Sequence, residues 1–178
     1  MKNSLLIKTF DFHGDAIDLM GVFKNRKKLF CLDSSLHRAR KGRYSFIGFD
    51  PSDWIEGKNP NVLNILRKRF NPFKIKTASS LTPFPAGFAG CLSYDYGLTQ
   101  ERIKLQAHDD LKLPLYGFGF YDCILTIDHK LKKLIVTGLS SSSIKFDRVI
   151  RVLNSFRSAQ WSVVRIKRIS MKGLDFQS

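Results

Sequence analysis

Between Tyr116 and Leu139 the chain carries two long apolar and aromatic runs, Tyr116 to Asp128 and Leu131 to Leu139, joined around Asp128-His129-Lys130. Runs rich in aromatic and β-branched residues, separated by a short polar turn, read as a β-hairpin. A hairpin commits the chain to antiparallel pairing. The flanking sequence supplies more strands: Leu5 to Phe10, Leu29 to Leu32, Tyr44 to Phe49, Trp54 to Glu56 ended by Gly57, Gly87 to Tyr96 and Trp161 to Ile166. Within Gly87 to Tyr96, Gly87 and Gly90 admit the close approach of another backbone. Helical spacing of apolar residues predicts helices over Asp15 to Asn25 and Ile144 to Ala159, the latter with Phe146, Val149, Ile150, Leu153 and Phe156 on one face. A further helix starts at Asn59-Pro60, with Asn59 as N-cap and Pro60 in the first turn. Its apolar face is Val62, Leu63, Ile65, Leu66 and Phe70, and Arg67, Lys68 and Arg69 complement the dipole at its end.

Strands interspersed with a few helices and joined by hairpins give the α+β class: mainly antiparallel sheets with a few packed helices. At 178 residues the chain can bury one sizeable core, so a single domain over residues 1–169 is expected, with Ser170 to Ser178 a tail or the start of a linker. Ser35 to Lys41 is expected as an exposed hairpin loop, and Asn71 to Pro85 as the most loop-like stretch. With 43% hydrophobic residues and 15 Phe, the composition is that of a folded chain.

Lys and Arg total 30 against 15 Asp and Glu, a formal net charge of +15. Such a charge raises nucleic acid or an anionic surface as a partner. The cations, however, are spread from Lys2 to Lys172 in short clusters, with no zinc-finger, helix-turn-helix or RNP1 pattern. A nucleic-acid-binding protein is therefore a secondary reading, and a face that meets an acidic partner explains the charge as well. Cys31, Cys91 and Cys123 are odd in number and widely spaced, which argues against a disulfide framework and a structural zinc site. No stretch reaches the roughly 18 apolar residues of a membrane span, and Met1 to Phe10 lacks the features of a signal peptide. A cytoplasmic, non-membrane protein is the simplest expectation.

His13, His37, His108 and His129 fall in separate polar or turn contexts and read as isolated surface residues. No G-x-S-x-G elbow or phosphate-binding loop is present. More suggestive are Asp33, Ser34 and Arg43. If Leu29 to Leu32 and Tyr44 to Phe49 are neighbouring strands, a carboxylate and a guanidinium lie near one hairpin loop, where they can face the ammonium and carboxylate of an amino acid. The plainer reading is a cross-strand ion pair. Ser93-Tyr94-Asp95-Tyr96-Gly97 reads as a strand end whose polar groups satisfy the backbone while the Tyr rings cover the core.

Four blocks carry a resemblance. They are Leu29-Phe30-Cys31-Leu32-Asp33-Ser34-Ser35; Gly42-Arg43-Tyr44-Ser45-Phe46-Ile47-Gly48-Phe49-Asp50-Pro51; the run from Pro83 to Gly97; and Leu113-Pro114 with Gly119-Phe120-Tyr121-Asp122 and Ile127-Asp128-His129. In order and spacing they resemble the N-terminal domain of component I of anthranilate synthase and aminodeoxychorismate (para-aminobenzoate) synthase. The Leu92-Ser93-Tyr94-Asp95 form looks closer to the aminodeoxychorismate branch.

The resemblance implies folate or tryptophan biosynthesis. The enzyme implied converts chorismate with ammonia from a glutamine amidotransferase partner and a magnesium ion. In that family the chorismate and magnesium site belongs to a large C-terminal domain, so no catalytic residue and no cofactor are expected in this chain. The expectation is a free-standing or truncated N-terminal domain, inactive alone and dependent on a C-terminal chorismate-binding chain and the amidotransferase. The family's N-terminal domain also contributes part of a tryptophan pocket, and the matching positions are Asp33, Ser34, Lys41, Gly42, Arg43 and Tyr44. Asp33 stands where anthranilate synthases often have Glu, and with half the pocket wall elsewhere the resemblance implies weak tryptophan binding at best. The rival from another class is a stand-alone amino-acid-sensing module.

Overall fold

The computed structural model describes residues 4–34, 42–70, 82–101, 111–156 and 163–169. Predictions for Ser35 to Lys41, for most of Asn71 to Pro85 and for Ser170 to Ser178 lie outside them, as do His37 and His108. The architecture is α+β, with two antiparallel sheets and four α-helices among the described residues. In chain order the elements are β1 (Leu5–Asp11), α1 (Ala16–Val22), β2 (Phe30–Leu32), β3 (Tyr44–Gly48), β4 (Asp53–Gly57), α2 (Val62–Phe70) and β5 (Gly87–Leu92). There follow α3 (Tyr94–Gln100), β6 (Tyr116–Tyr121), β7 (Cys123–Asp128), β8 (Lys133–Leu139), α4 (Ser143–Ser155) and β9 (Val163–Ile169). They fall into two compact units, one of residues 1–50, 75–86 and 122–178, the other of residues 51–74 and 87–121.

The first unit is a six-stranded sheet in the order β2-β3-β7-β8-β1-β9. Residues directly opposite across an antiparallel pair share a face, so the pairs Ile47 with Leu125, Leu125 with Val136, and Leu134 with Phe10 place those side chains on one side. That side packs against Ala16 and Leu19 of α1 and Phe146, Val149 and Leu153 of α4. The helical spacings i, i+3 and i, i+3, i+7 are what give each helix a continuous apolar stripe. A large side chain buried as fully as Phe10, Phe49 or Leu125 contributes about 1.5–3 kcal/mol. Asp15 caps α1 by accepting the Asp18 N–H at 2.7 Å. Gly138 lets α4 sit close on β8, since a Cβ there would lie 2.8 Å from the Phe146 ring.

The second unit is the three-stranded sheet β4-β6-β5. Its core is Ile55, Val62, Tyr96 and Tyr116, with Ile65 and Leu66 packed against them. Asn59 Oδ1 accepts the Asn61 N–H at 2.9 Å, and α2 begins two residues later than the sequence suggests. Leu63, placed on the apolar face by spacing, is instead exposed. Gly90 meets the predicted close approach: a Cβ there would lie 2.0 Å from the Gly117 carbonyl oxygen.

Two sequence expectations are corrected. Tyr116 to Asp128 is not one arm of a hairpin, because the chain changes sheets at Asp122, leaving β6 in one sheet and β7 in the other. The Asp122 carboxylate accepts bonds from the Ser142 hydroxyl and, at 2.7 Å, the Lys145 ammonium, while its carbonyl takes the Leu139 N–H. These bonds fix Asp122 within the first unit, at a change of sheet that no Gly or Pro marks. The hairpin that does form is β7 with β8. Second, the strand from Gly87 stops at Leu92, and Ser93 caps a helix by accepting the Tyr96 N–H at 3.2 Å. Tyr96 is buried, but Tyr94 is 86% exposed and covers no core.

Candidate functional site

The predicted site residues gather where β2, β3 and β7 lie side by side, and the register explains how. Phe46 sits opposite both Leu32 and Thr126, and Tyr44 opposite Asp128, so the residues just past β2 and β7 flank the start of β3. Ser45 is fully buried there. Its Oγ accepts the Ser34 N–H at 3.0 Å, donates to Asp33 Oδ1 at 2.7 Å and lies 2.7 Å from His129 Nε2. A carboxylate can only accept, so the single hydroxyl proton goes to Asp33 and the His129 Nε2–H must donate to Ser45. The Ser34 hydroxyl donates to the Tyr44 carbonyl at 2.7 Å, closing the β2–β3 junction. The Cys31 thiol nearby is held above its ordinary pKa, first by burial and then by the negative charge of Asp33.

Arg43 is engaged elsewhere. Its Nε and Nη2 grip the Asp128 carboxylate, the shortest bond being 2.7 Å from Nη2, and its guanidinium stacks 4.7 Å from the Tyr44 ring centre. Asp128 is fully buried and also accepts the Lys130 and Leu131 N–H groups at 3.1 and 3.0 Å. The partner of Arg43 is thus Asp128, not the Asp33 of the ion pair weighed from sequence. Because side chains alternate along a strand, Ser45 and its neighbour Tyr44, opposite Asp128, lie on opposite faces of the sheet. Asp33 with Ser34 and Arg43 with Tyr44 therefore form two adjoining networks. Gly42 enters β3 with φ of 78°, a left-handed conformation suited to glycine. Lys41 lies outside the described residues.

Burial raises the pKa of Asp128, but the Arg43 hydrogen bonds, the Leu131 amide, the Arg43 charge and the Lys130 amide outweigh it and hold the carboxyl below its ordinary value of 3.8. A carboxyl depressed in the folded state contributes stability above its unfolded pKa and loses it as pH falls through the folded value. Chemical denaturation followed from pH 5 downward should therefore show stability falling from about pH 4. Asp128→Asn should flatten that fall, whereas an unchanged pH profile would remove Asp128 as its source.

The sequence does not mark Ser45, Asp128 and His129 as site residues, and the isolated surface position expected for His129 gives way to a bond with Ser45. The signal available was the pairing of Tyr44 to Gly48 with Cys123 to Asp128, which carries the Arg43 carbonyl onto the His129 N–H at 2.9 Å. Among the described residues no three His, Cys, Asp or Glu side chains are placed to hold a metal ion. The described residues thus offer no ligand set for the magnesium that the resemblance implies. The arrangement can accept a cation at Asp33 and present the Arg43 Nη1, the guanidinium nitrogen that Asp128 does not engage. The Ser34 hydroxyl proton is already given to a carbonyl.

Known proteins align with part of this chain. Aminodeoxychorismate synthase component 1 of Bacillus subtilis is 30% identical, over 60% of this chain and 26% of its own length. Anthranilate synthase component 1 of Bacillus caldotenax is 25% identical over 70% of this chain and 28% of its own. The chain is homologous to component I of these synthases. Anthranilate synthase component 1 of Saccharomyces cerevisiae extends the likeness, at 29% identity over 61% of this chain and 23% of its own length. The homologue spans about a quarter of the length of the curated relatives it matches, which is consistent with an N-terminal domain of that family. No family model matches it. No described helix is long and apolar enough to cross a membrane.

Proposed function

We propose that the chain serves as the N-terminal domain of a cytoplasmic component I, of the aminodeoxychorismate rather than the anthranilate branch. In this reading chorismate chemistry and its magnesium reside in a C-terminal chorismate-binding portion, and ammonia comes from a glutamine amidotransferase. The observation that carries the reading is the homology to component I synthases of both branches, confined to about a quarter of each. The Leu92-Ser93-Tyr94-Asp95 run and the shorter Asp33 carboxylate support the aminodeoxychorismate branch.

The networks at β3 act here as architecture that shapes one side of a shared pocket. With the Ser34 proton on a carbonyl and Arg43 clamped to Asp128, two of the groups able to grip an amino-acid carboxylate are already committed. The purified chain is expected to turn over no chorismate with ammonia and magnesium, and to show no tryptophan binding tighter than about millimolar in calorimetry. Chorismate consumption by the chain alone would overturn the reading. Micromolar tryptophan binding abolished by Arg43→Ala would replace it with an amino-acid sensor.

A further inference from the structure

Sheet edges are templates for pairing with another chain, and proteins blunt them with charge, proline or brevity. Three of the four edges described here are blunted. β2 is three residues long. β9 carries Arg165, Lys167 and Arg168 in its sequence. β4 carries Asp53, paired with Arg69 at 2.5 Å, and Glu56, which accepts the Trp54 indole N–H at 2.9 Å. The fourth edge, β5, reads Gly-Phe-Ala-Gly-Cys-Leu, with no charge and no proline. Among the described residues it has one neighbour, β6, and Gly90, Cys91 and Leu92 are exposed. Apolar side chains continue past its end: Leu92 and Tyr94 flank Ser93, whose N–H bonds the Leu115 carbonyl beside exposed Leu113.

We propose that the β5 edge is a docking strand for an extended, apolar segment of the chorismate-binding portion of component I, whether carried on the same polypeptide or on another. The inference rests on the function proposed above. Two observations choose this occupant over a second copy. A second copy would bring a further +15 of charge to the contact, and like net charges oppose association. The relatives carry about three quarters of their length beyond what this chain matches, enough to supply the missing strand. Pairing there would extend the β4-β6-β5 sheet and cover Leu92, with backbone hydrogen bonds giving affinity.

The test uses the full 178-residue chain and, as probe, the part of Bacillus subtilis aminodeoxychorismate synthase component 1 outside the matched quarter. Cys91→Lys places a charge on the edge, and Cys91→Ser is the uncharged control. Association measured by sedimentation should weaken about tenfold or more in Cys91→Lys and stay within about twofold in Cys91→Ser, because an ammonium cannot be buried unpaired in a strand contact. The Cys91 thiol, exposed in the free chain while Cys31 is part-buried and Cys123 buried, should be shielded from a maleimide in the complex. Thermal midpoints of both variants near that of the wild type exclude misfolding as the cause. Undiminished association of Cys91→Lys would overturn the docking strand and leave the proposed function standing. Failure of the unmodified chain to associate would overturn both. Self-association of the chain alone, lost in Cys91→Lys, would make a second copy the occupant.

Discussion

Gly90→Ala is expected to lower the thermal midpoint of the chain by roughly 6–12 °C, the result of an overpacking cost of about 3 kcal/mol. The added Cβ would stand 2.0 Å from the Gly117 carbonyl oxygen and 2.7 Å from the Phe118 Cα. Both are backbone atoms of β6, so relief requires β5 and β6 to move apart. That motion strains the ladder from Gly87 to Leu92, on which the three-stranded unit depends. Gly21, where an added Cβ meets nothing within 4 Å, supplies the control: Gly21→Ala sits in α1 and should hold or raise the midpoint, since alanine favours helix by about 1 kcal/mol over glycine. A Gly90→Ala midpoint equal to that of the wild type would mean that β5 does not pack on β6 as described.

The second large effect concerns Asp122, the residue between β6 and β7. Asp122→Ala removes the carboxylate that takes the Ser142 hydroxyl and the Lys145 ammonium, leaving Lys145, 21% exposed, with the Asp50 carbonyl at 2.6 Å as its remaining hydrogen-bond partner among the described residues. Removing one member of a buried ion pair costs about 3–5 kcal/mol, and the partial exposure of Lys145 puts the expectation near the lower figure. The damage comes from the stranded ammonium. Adding Lys145→Met to Asp122→Ala should therefore recover much of the loss in urea denaturation. No recovery in the double variant would show that the loss does not come from the stranded ammonium and would remove the pair as its source.

The junction at Asp122 also shows why part of the fold is not legible in the sequence. Cys123 to Asp128 is buried at every position, and Tyr116 to Tyr121 at all but one, so the two strands run together as one apolar stretch. Asp122 looks like any polar interruption until Lys145 and Ser142, some 20 residues away, are brought to it. Helix α3 was hidden for a different reason: of its seven residues only Tyr96 is buried, so no stripe announces it, and Ser93 is the sole mark of its start. By contrast, β1, β3 and the β7–β8 hairpin alternate or run apolar between turns, and α4 repeats its apolar positions at helical spacing, so local pattern sufficed.

The site was legible in the same uneven way. Asp33, Ser34 and Arg43 stand out in the sequence because a carboxylate, a hydroxyl and a guanidinium flank two adjacent strands. What each side chain bonds to depends on β7 and the residue just past it: His129 is 84 residues from Ser45, and Asp128 is 85 from Arg43. Only the pairing of β3 with β7 reveals that the carboxylate holding Arg43 is Asp128 and that Ser45 sits at the centre of the other network.

The proposed role, one part of a chorismate-converting component I, has a simple consequence. The most direct measurement is chorismate turnover with ammonia and magnesium by the remaining portion of a component I, assayed with and without this chain. Little turnover by either part alone and a clear gain when they are mixed are expected. A remaining portion that is fully active without the chain, or a mixture no more active than its parts, would contradict it.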